Sequence, residues 1–112
     1  MNIRDTIDGD IAILEISGKI LGGDQIAYFH QKIRDLLDTG IRTFLLDFER
    51  VQWTNSLGLG SLVAAHASVT NAGGQFALCA TDNIDKLLTV THLRTVFAIH
   101  PTREQALEAL RG

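Results

Sequence analysis

Ser56 is the residue of this chain best placed to do chemistry. It stands in Thr54-Asn55-Ser56-Leu57-Gly58-Leu59-Gly60, after an aliphatic run and before a stretch of small and aliphatic residues. A hydroxyl with glycines just behind it admits three readings. As a helix cap, its oxygen would accept amide hydrogens that a first helical turn leaves unpaired. As a nucleophile, it would need a base nearby and a strained Gly-x-Ser-x-Gly elbow. As a phosphoryl acceptor, it would set an anion at the positive end of a helix dipole, among amides able to hold it.

The nucleophile is the weakest of the three. Thr54 occupies the elbow's first glycine position, and His30, His66, His92 and His100 fall inside or at the ends of predicted elements, away from this loop. Gly58-Leu59-Gly60 resembles the start of a dinucleotide fingerprint, but its next small position holds Val63 and its first glycine already lies inside the helix. There is no Gly-Lys-Ser/Thr phosphate loop and no His/Cys set at metal spacing, so no catalytic residue, cofactor or metal is expected. The single cysteine, Cys79, sits in an apolar run and reads as a buried thiol. The cap and the modified serine both remain open on these grounds.

Composition sets the frame. A chain of 112 residues, 46% hydrophobic with one proline, can bury a core of its own, so residues 1–112 read as one domain. The net charge is −3 and no basic run exists, which argues against a nucleic-acid partner. Neither a leader peptide nor an apolar run of spanning length is evident, and a cytoplasmic protein with no membrane insertion is expected.

The elements that must position Ser56 alternate along the chain. Residues 2–7 and 11–17 flank Asp8-Gly9-Asp10 and predict a hairpin. Asp24 is placed to cap a helix carrying Ile26, Phe29, Ile33, Leu36 and Leu37, with Gly40 as its stop. "TFLLDF" (43–48) reads as a central strand covered on both faces. A helix then runs from Ser56 to about Ala72, ended by Gly73-Gly74. "QFALCA" (75–80) is a strand, Asp82 caps a short helix, and "TVFAIH" (95–100) is a last strand. Thr102, with Gln105, caps a final helix. The predicted fold is α/β: a mixed sheet of four or five strands, an N-terminal hairpin, later strands parallel, and about four helices. In such a sheet the loops 18–24, 49–56 and 81–82 leave by the same edge and should cluster around Ser56. Gly58 and Gly60 cost helix stability, so they are expected to allow close approach, Gly58 toward a partner and Gly60 toward the sheet.

The run "DFERVQWTNSLGLGSLVAAHASVTNAGGQFALC" resembles the central segment of STAS domains, in particular bacterial anti-sigma factor antagonists. There a hydrophobic strand ends in Asp, and after a short loop Asp-Ser-Ser/Thr-Gly-Leu-Gly opens a helix. The likeness also takes in the early hairpin, Gly22-Gly23-Asp24 before the first helix, and the ending "VFAIHPTREQALEAL". It implies a non-enzymatic binding module that binds an anti-sigma factor which is also a serine kinase. The kinase would phosphorylate Ser56 and release the antagonist, and a serine phosphatase would reset the switch. The implied partner surface comprises Gly22, Gly23, Asp24, Thr54, Asn55, Ser56, Leu57, Gly58, Leu59, Thr81 and Asp82.

Two positions depart from the family pattern. Asn55 stands for its Asp, keeping shape and hydrogen-bonding reach without the charge, and Leu57 stands for its Ser/Thr. These bear on which kinase would recognise the loop. The alternatives are a STAS subunit of another assembly (a stressosome, a lipid-transport complex or a chemosensory pathway) and, from another class, a small nucleotide-binding protein or hydrolase.

Overall fold

Alternation along the strands decides what each face of the sheet can bury. In the computed structural model, which describes residues 2–20 and 23–111 (backbone alone for Ile20, Gln52, Trp53 and Ser56), β1 (Asn2–Asp8) and β2 (Ile11–Ile20) form the predicted hairpin. Their antiparallel register runs from Asn2 opposite Ser17 to Asp8 opposite Ile11. Helix α1 (Gly23–Asp38) leads to β3 (Thr43–Thr54), α2 (Ser56–Asn71) to β4 (Gln75–Ala80), and α3 (Asp82–Val90) toward β5 (Ala98–His100). Helix α4 (Arg103–Arg111) follows. The five strands lie in sequence order, β1-β2-β3-β4-β5, with every pairing after the hairpin parallel.

One face of the sheet carries the main core. Ala12, Leu14 and Ile16 of β2, Phe44, Leu46 and Phe48 of β3, and Phe76, Leu78 and Ala80 of β4 meet Phe29 and Ile33 of α1, Leu59, Leu62, Ala65 and Val69 of α2, and Ile84 and Leu88 of α3. The opposite face is thinner. Ile11, Ile13, Leu45, Ala77 and Cys79 lie under Ala106, Leu107 and Leu110 of α4.

Several predicted boundaries shift. The expected strand at 43–48 continues to Thr54, because its extension still pairs with β2 and gains ladder bonds there. The expected strand at 95–100 shrinks to Ala98–His100, the part of it that pairs with β4, after a turn-rich segment. Thr81, not Asp82, caps α3: its hydroxyl accepts from the Ile84 amide at 3.4 Å. Asp24 lies inside the first turn of α1, one residue past its start at Gly23, so it complements the dipole rather than capping. Thr102 caps α4 as expected, accepting from the Gln105 amide at 3.2 Å.

Candidate functional site

β2 and β3 run on together after β4 has ended. The last β3–β4 pair is Phe48 with Ala80, whereas β2 and β3 remain in register to Lys19 with Trp53 and Ile20 with Thr54. The register slips between Glu15 and Ser17 and again between Gly18 and Lys19, where Gly18 takes φ +88°. A left-handed residue at a bulge is the usual use of glycine in a strand. The two strands therefore leave the sheet side by side, and a single residue, Asn55, separates β3 from α2. The expected 49–56 loop is almost wholly strand.

Asn55 is the cap. Its backbone is extended (φ −115°, ψ −173°), and its Oδ1 accepts from the Gly58 amide at 3.0 Å. Its carbonyl accepts from the Leu59 amide at 3.1 Å, closing the first helical turn. This corrects the reading of Ser56 as the cap. Ser56 is the first residue inside α2, because β3 runs to Thr54 and the Asn55 side chain, one residue before Ser56, takes the Gly58 amide. The first-turn amides of Ser56 and Leu57 have no intrahelical acceptor. Helix α2 has no acidic residue in its first turn and no charged residue anywhere along it. Its positive N-terminal end is thus uncompensated by its own side chains, the electrostatic setting in which an anion is favoured.

The predicted surface residues divide by depth. Gly23, Asp24, Leu57 and Asp82 are exposed, with Leu57 at 59%, and Asn55 and Thr81 are half-buried. Thr54, Gly58 and Leu59 are buried, so they stand behind the surface rather than on it. Gly22 lies outside the described residues. The expectation for the two glycines is reversed: Gly58 is buried and Gly60 exposed, and a Cβ built on Gly60 would meet nothing within 4 Å. The physical reason is helical phase. Leu59, Leu62, Ala65 and Val69 set the inward face, and Gly60 falls on the other side of the helix. From Leu57 the exposed side of α2 continues through Gly60, Ala64, Ala67 and Ser68.

Of the three loops expected to cluster, the register brings the β2 and β3 exits together at Ile20 and Thr54. Thr81 and Asp82 leave the same edge further back, where β4 stops beside Phe48. Three histidines stay off this edge. His30 lies within α1, His92 follows α3 in a left-handed conformation (φ 62°), and His66 packs edge-on against Phe76 and Phe97 at 5.5 and 5.4 Å. His100 departs from the expectation: it ends β5 at the sheet's carboxyl edge, two strands from β3. Burial, together with the nearby Arg34 charge, holds the His30 imidazole below its ordinary value.

A polar cluster on the thin face escaped the sequence reading. Arg103 at the start of α4 reaches Glu15 at 2.6 Å and Asp47, whose side chain is 3% exposed, at 2.8 Å. The Glu49 amide donates to Asp47 Oδ1 at 2.9 Å, and the Cys79 thiol donates to Glu49 Oε1 at 3.2 Å. Ligand atoms of Asp47, Glu49 and Cys79 lie within 4.8 Å of one another. Asp47 is already paired with Arg103, and burial with the Glu49 hydrogen bond pushes the Cys79 thiol far up, so these atoms are occupied with one another. The signal was present in sequence: Glu15 and Asp47 interrupt apolar strands at positions sharing a face with Ile13 and Leu45.

Among the described residues no helix is long and apolar enough to cross a membrane. A Thermotoga neapolitana protein named as an anti-sigma factor antagonist homolog is 30% identical over 105 residues, covering 92% of each chain. The crystal structure of a Thermotoga maritima protein titled as an anti-sigma factor antagonist superposes with a TM-score of 0.86 at 27% identity, covering 98% of this chain and 95% of that one. SpoIIAA shares the fold at 18% identity, with TM-scores of 0.82 for its unphosphorylated form and 0.75 for the phosphorylated Bacillus form. The first covers 99% of this chain and 97% of that one, the second 98% and 100%. A model of the STAS domain matches residues 2–106, and with the strand order, the β3–Asn55–α2 joint and these relatives in agreement, the chain belongs to the STAS domain family.

Proposed function

We propose that this chain is an anti-sigma factor antagonist in a partner-switching pathway. It binds an anti-sigma factor that is also a serine kinase, and phosphorylation of Ser56 releases it. The observation that carries this reading is the joint itself. Ser56 is the first residue of α2, one residue beyond a strand, with the capping duty taken by Asn55. Relatives named as anti-sigma factor antagonists support the partner class.

The mechanism follows from charge. The kinase transfers the γ-phosphoryl group of ATP to the Ser56 oxygen, while the hydroxyl proton leaves to a base on the kinase. The phosphate brings about two negative charges to the N-terminus of an uncharged helix. The domain accepts them, since the dipole and the first-turn amides favour an anion there. A partner seated on Leu57, Gly60 and Asp24 meets a strongly hydrated dianion at a helix end that had carried no charged side chain, and dissociates. A serine phosphatase removes the group and restores binding. The chain itself performs no catalysis in this cycle and works in the cytoplasm, where sigma factors act.

A second reading has an observation of its own. Asn55 and Leu57 replace the acidic and hydroxyl residues of the family motif, and the exposed side of α2 is apolar or small along its length. This suits a STAS subunit held permanently in a larger assembly without a phosphoswitch. Incubation with the cognate kinase and ATP separates the two. Partner switching predicts one phosphate, in the peptide containing Ser56, with Ser61 and Ser68 unmodified. Ser61 is buried and donates to the Gly58 carbonyl at 3.0 Å, so it is not open to a kinase. No label at Ser56 would select the permanent subunit. Nucleotide binding with turnover by the chain alone would reject both.

A further inference from the structure

We propose that α4 is a detachable strap, which opens from the sheet as a unit while the rest of the domain stays folded, uncovering an apolar strip and the Cys79 thiol. Nine residues are too few to hold a helix in water without packing. The packing here is thin: Ala106 is buried, and Leu107 and Leu110 are only partly covered. What fastens the helix is a charged clasp at each end. Arg103, its first residue, bridges Glu15 of β2 and Asp47 of β3, and Arg111, its last, pairs with Asp8 at the hairpin.

The rest of the domain does not depend on α4. None of the buried residues of the main core comes from that helix. Opening α4 therefore leaves the sheet and the other three helices packed, and water can solvate Glu15 and Asp47 in place of Arg103. Local opening of such a unit requires less free energy than unfolding the whole domain. Beneath it lie Ile11, Ile13, Leu45 and Ala77, a contiguous strip across three parallel strands, beside Cys79.

Cys79 is the only cysteine of the chain and is 0% exposed when α4 is closed, so its reactivity reports the opening. The test is labelling of the intact chain with Ellman's reagent under native conditions across a low urea range. The strap predicts labelling that is nearly independent of urea and faster than global unfolding permits. Arg103→Gln should accelerate it about tenfold, the scale of losing charge-assisted hydrogen bonds. Arg111→Gln, which breaks a more exposed pair, should accelerate it about twofold. Leu62→Ala, on the opposite face, should weaken the whole domain and leave this rate unchanged. A labelling rate with the full urea slope of global unfolding, accelerated by Leu62→Ala, would overturn the proposal. If Arg103→Gln does not fold, the wild-type urea slope and the Arg111→Gln rate decide.

Discussion

Helices α2 and α4 cover opposite faces of the same sheet by opposite means. α2 is sixteen residues long without a charge, and it sinks Leu59, Leu62, Ala65 and Val69 into the main core. α4 is nine residues long, carries acids and bases, buries Ala106 fully, and is fastened by arginines at its two ends. The sheet explains the difference. On the α2 side, β2 and β3 stay apolar through Ile16 and Phe48, whereas on the α4 side they turn acidic at Glu15, Asp47 and Glu49. The lesson is that the element offering Ser56 is anchored by hydrophobic burial. A phosphate placed at its end, as proposed, would change the surface without loosening the helix.

Truncating one apolar contact under each helix is the strongest way to break this contrast. Leu62→Ala removes a side chain that is 1% exposed in the core and should cost about 3 kcal/mol, read as a fall in the urea midpoint at unchanged slope. Leu110→Ala, which trims a half-buried side chain of α4 itself, should cost less than about 1 kcal/mol. Equal losses would mean that the two faces hold the fold equally.

The two ends of α2 sharpen the comparison further. Gly74 follows the helix where the chain returns into β4, and a Cβ there would lie 2.3 Å from the Arg42 carbonyl oxygen and 2.9 Å from Val69 Cγ1. Backbone must move to admit it, so Gly74→Ala should destabilise by about 2 kcal/mol. Gly60, near the other end, faces open space. Gly60→Ala should therefore raise stability by about 1 kcal/mol, the helix-propensity gain, while weakening partner binding. Higher melting temperature with unaltered affinity would show that no partner approaches this side of α2.

Much of this was legible in the sequence. The hairpin, the five strands, the four helices and the parallel crossovers follow from apolar period and from Gly and Asp punctuation at Gly9, Gly40 and Gly73. The boundaries that failed depended on partners distant in sequence. β3 continues past Phe48 because β2 continues beside it; the alternation of Val51 and Trp53 in "ERVQWT" suits a strand but does not name its partner. Asn55 and Ser56 are both good caps by type, and only the length of β3 decides which of them precedes the helix. The opposite placement of Gly58 and Gly60 needed the phase of α2. Leu59, Leu62 and Val69 mark that phase in the sequence, and carried back one turn it already puts Gly60 on the outer side. The Arg103–Glu15–Asp47 clasp joins residues far apart in the chain and has no local pattern.

Binding of the kinase-type anti-sigma factor to Ser56→Ala and Ser56→Asp, measured side by side with wild type, tests the central claim most directly. Asn55 holds the cap in both variants, so neither should lose more than about 1 kcal/mol of stability. The account predicts that Ser56→Ala binds like wild type and cannot be phosphorylated, while Ser56→Asp, with a negative charge at the head of α2, binds at least about tenfold more weakly. A Ser56→Asp protein that binds as tightly as wild type, with no kinase able to label Ser56, would contradict it.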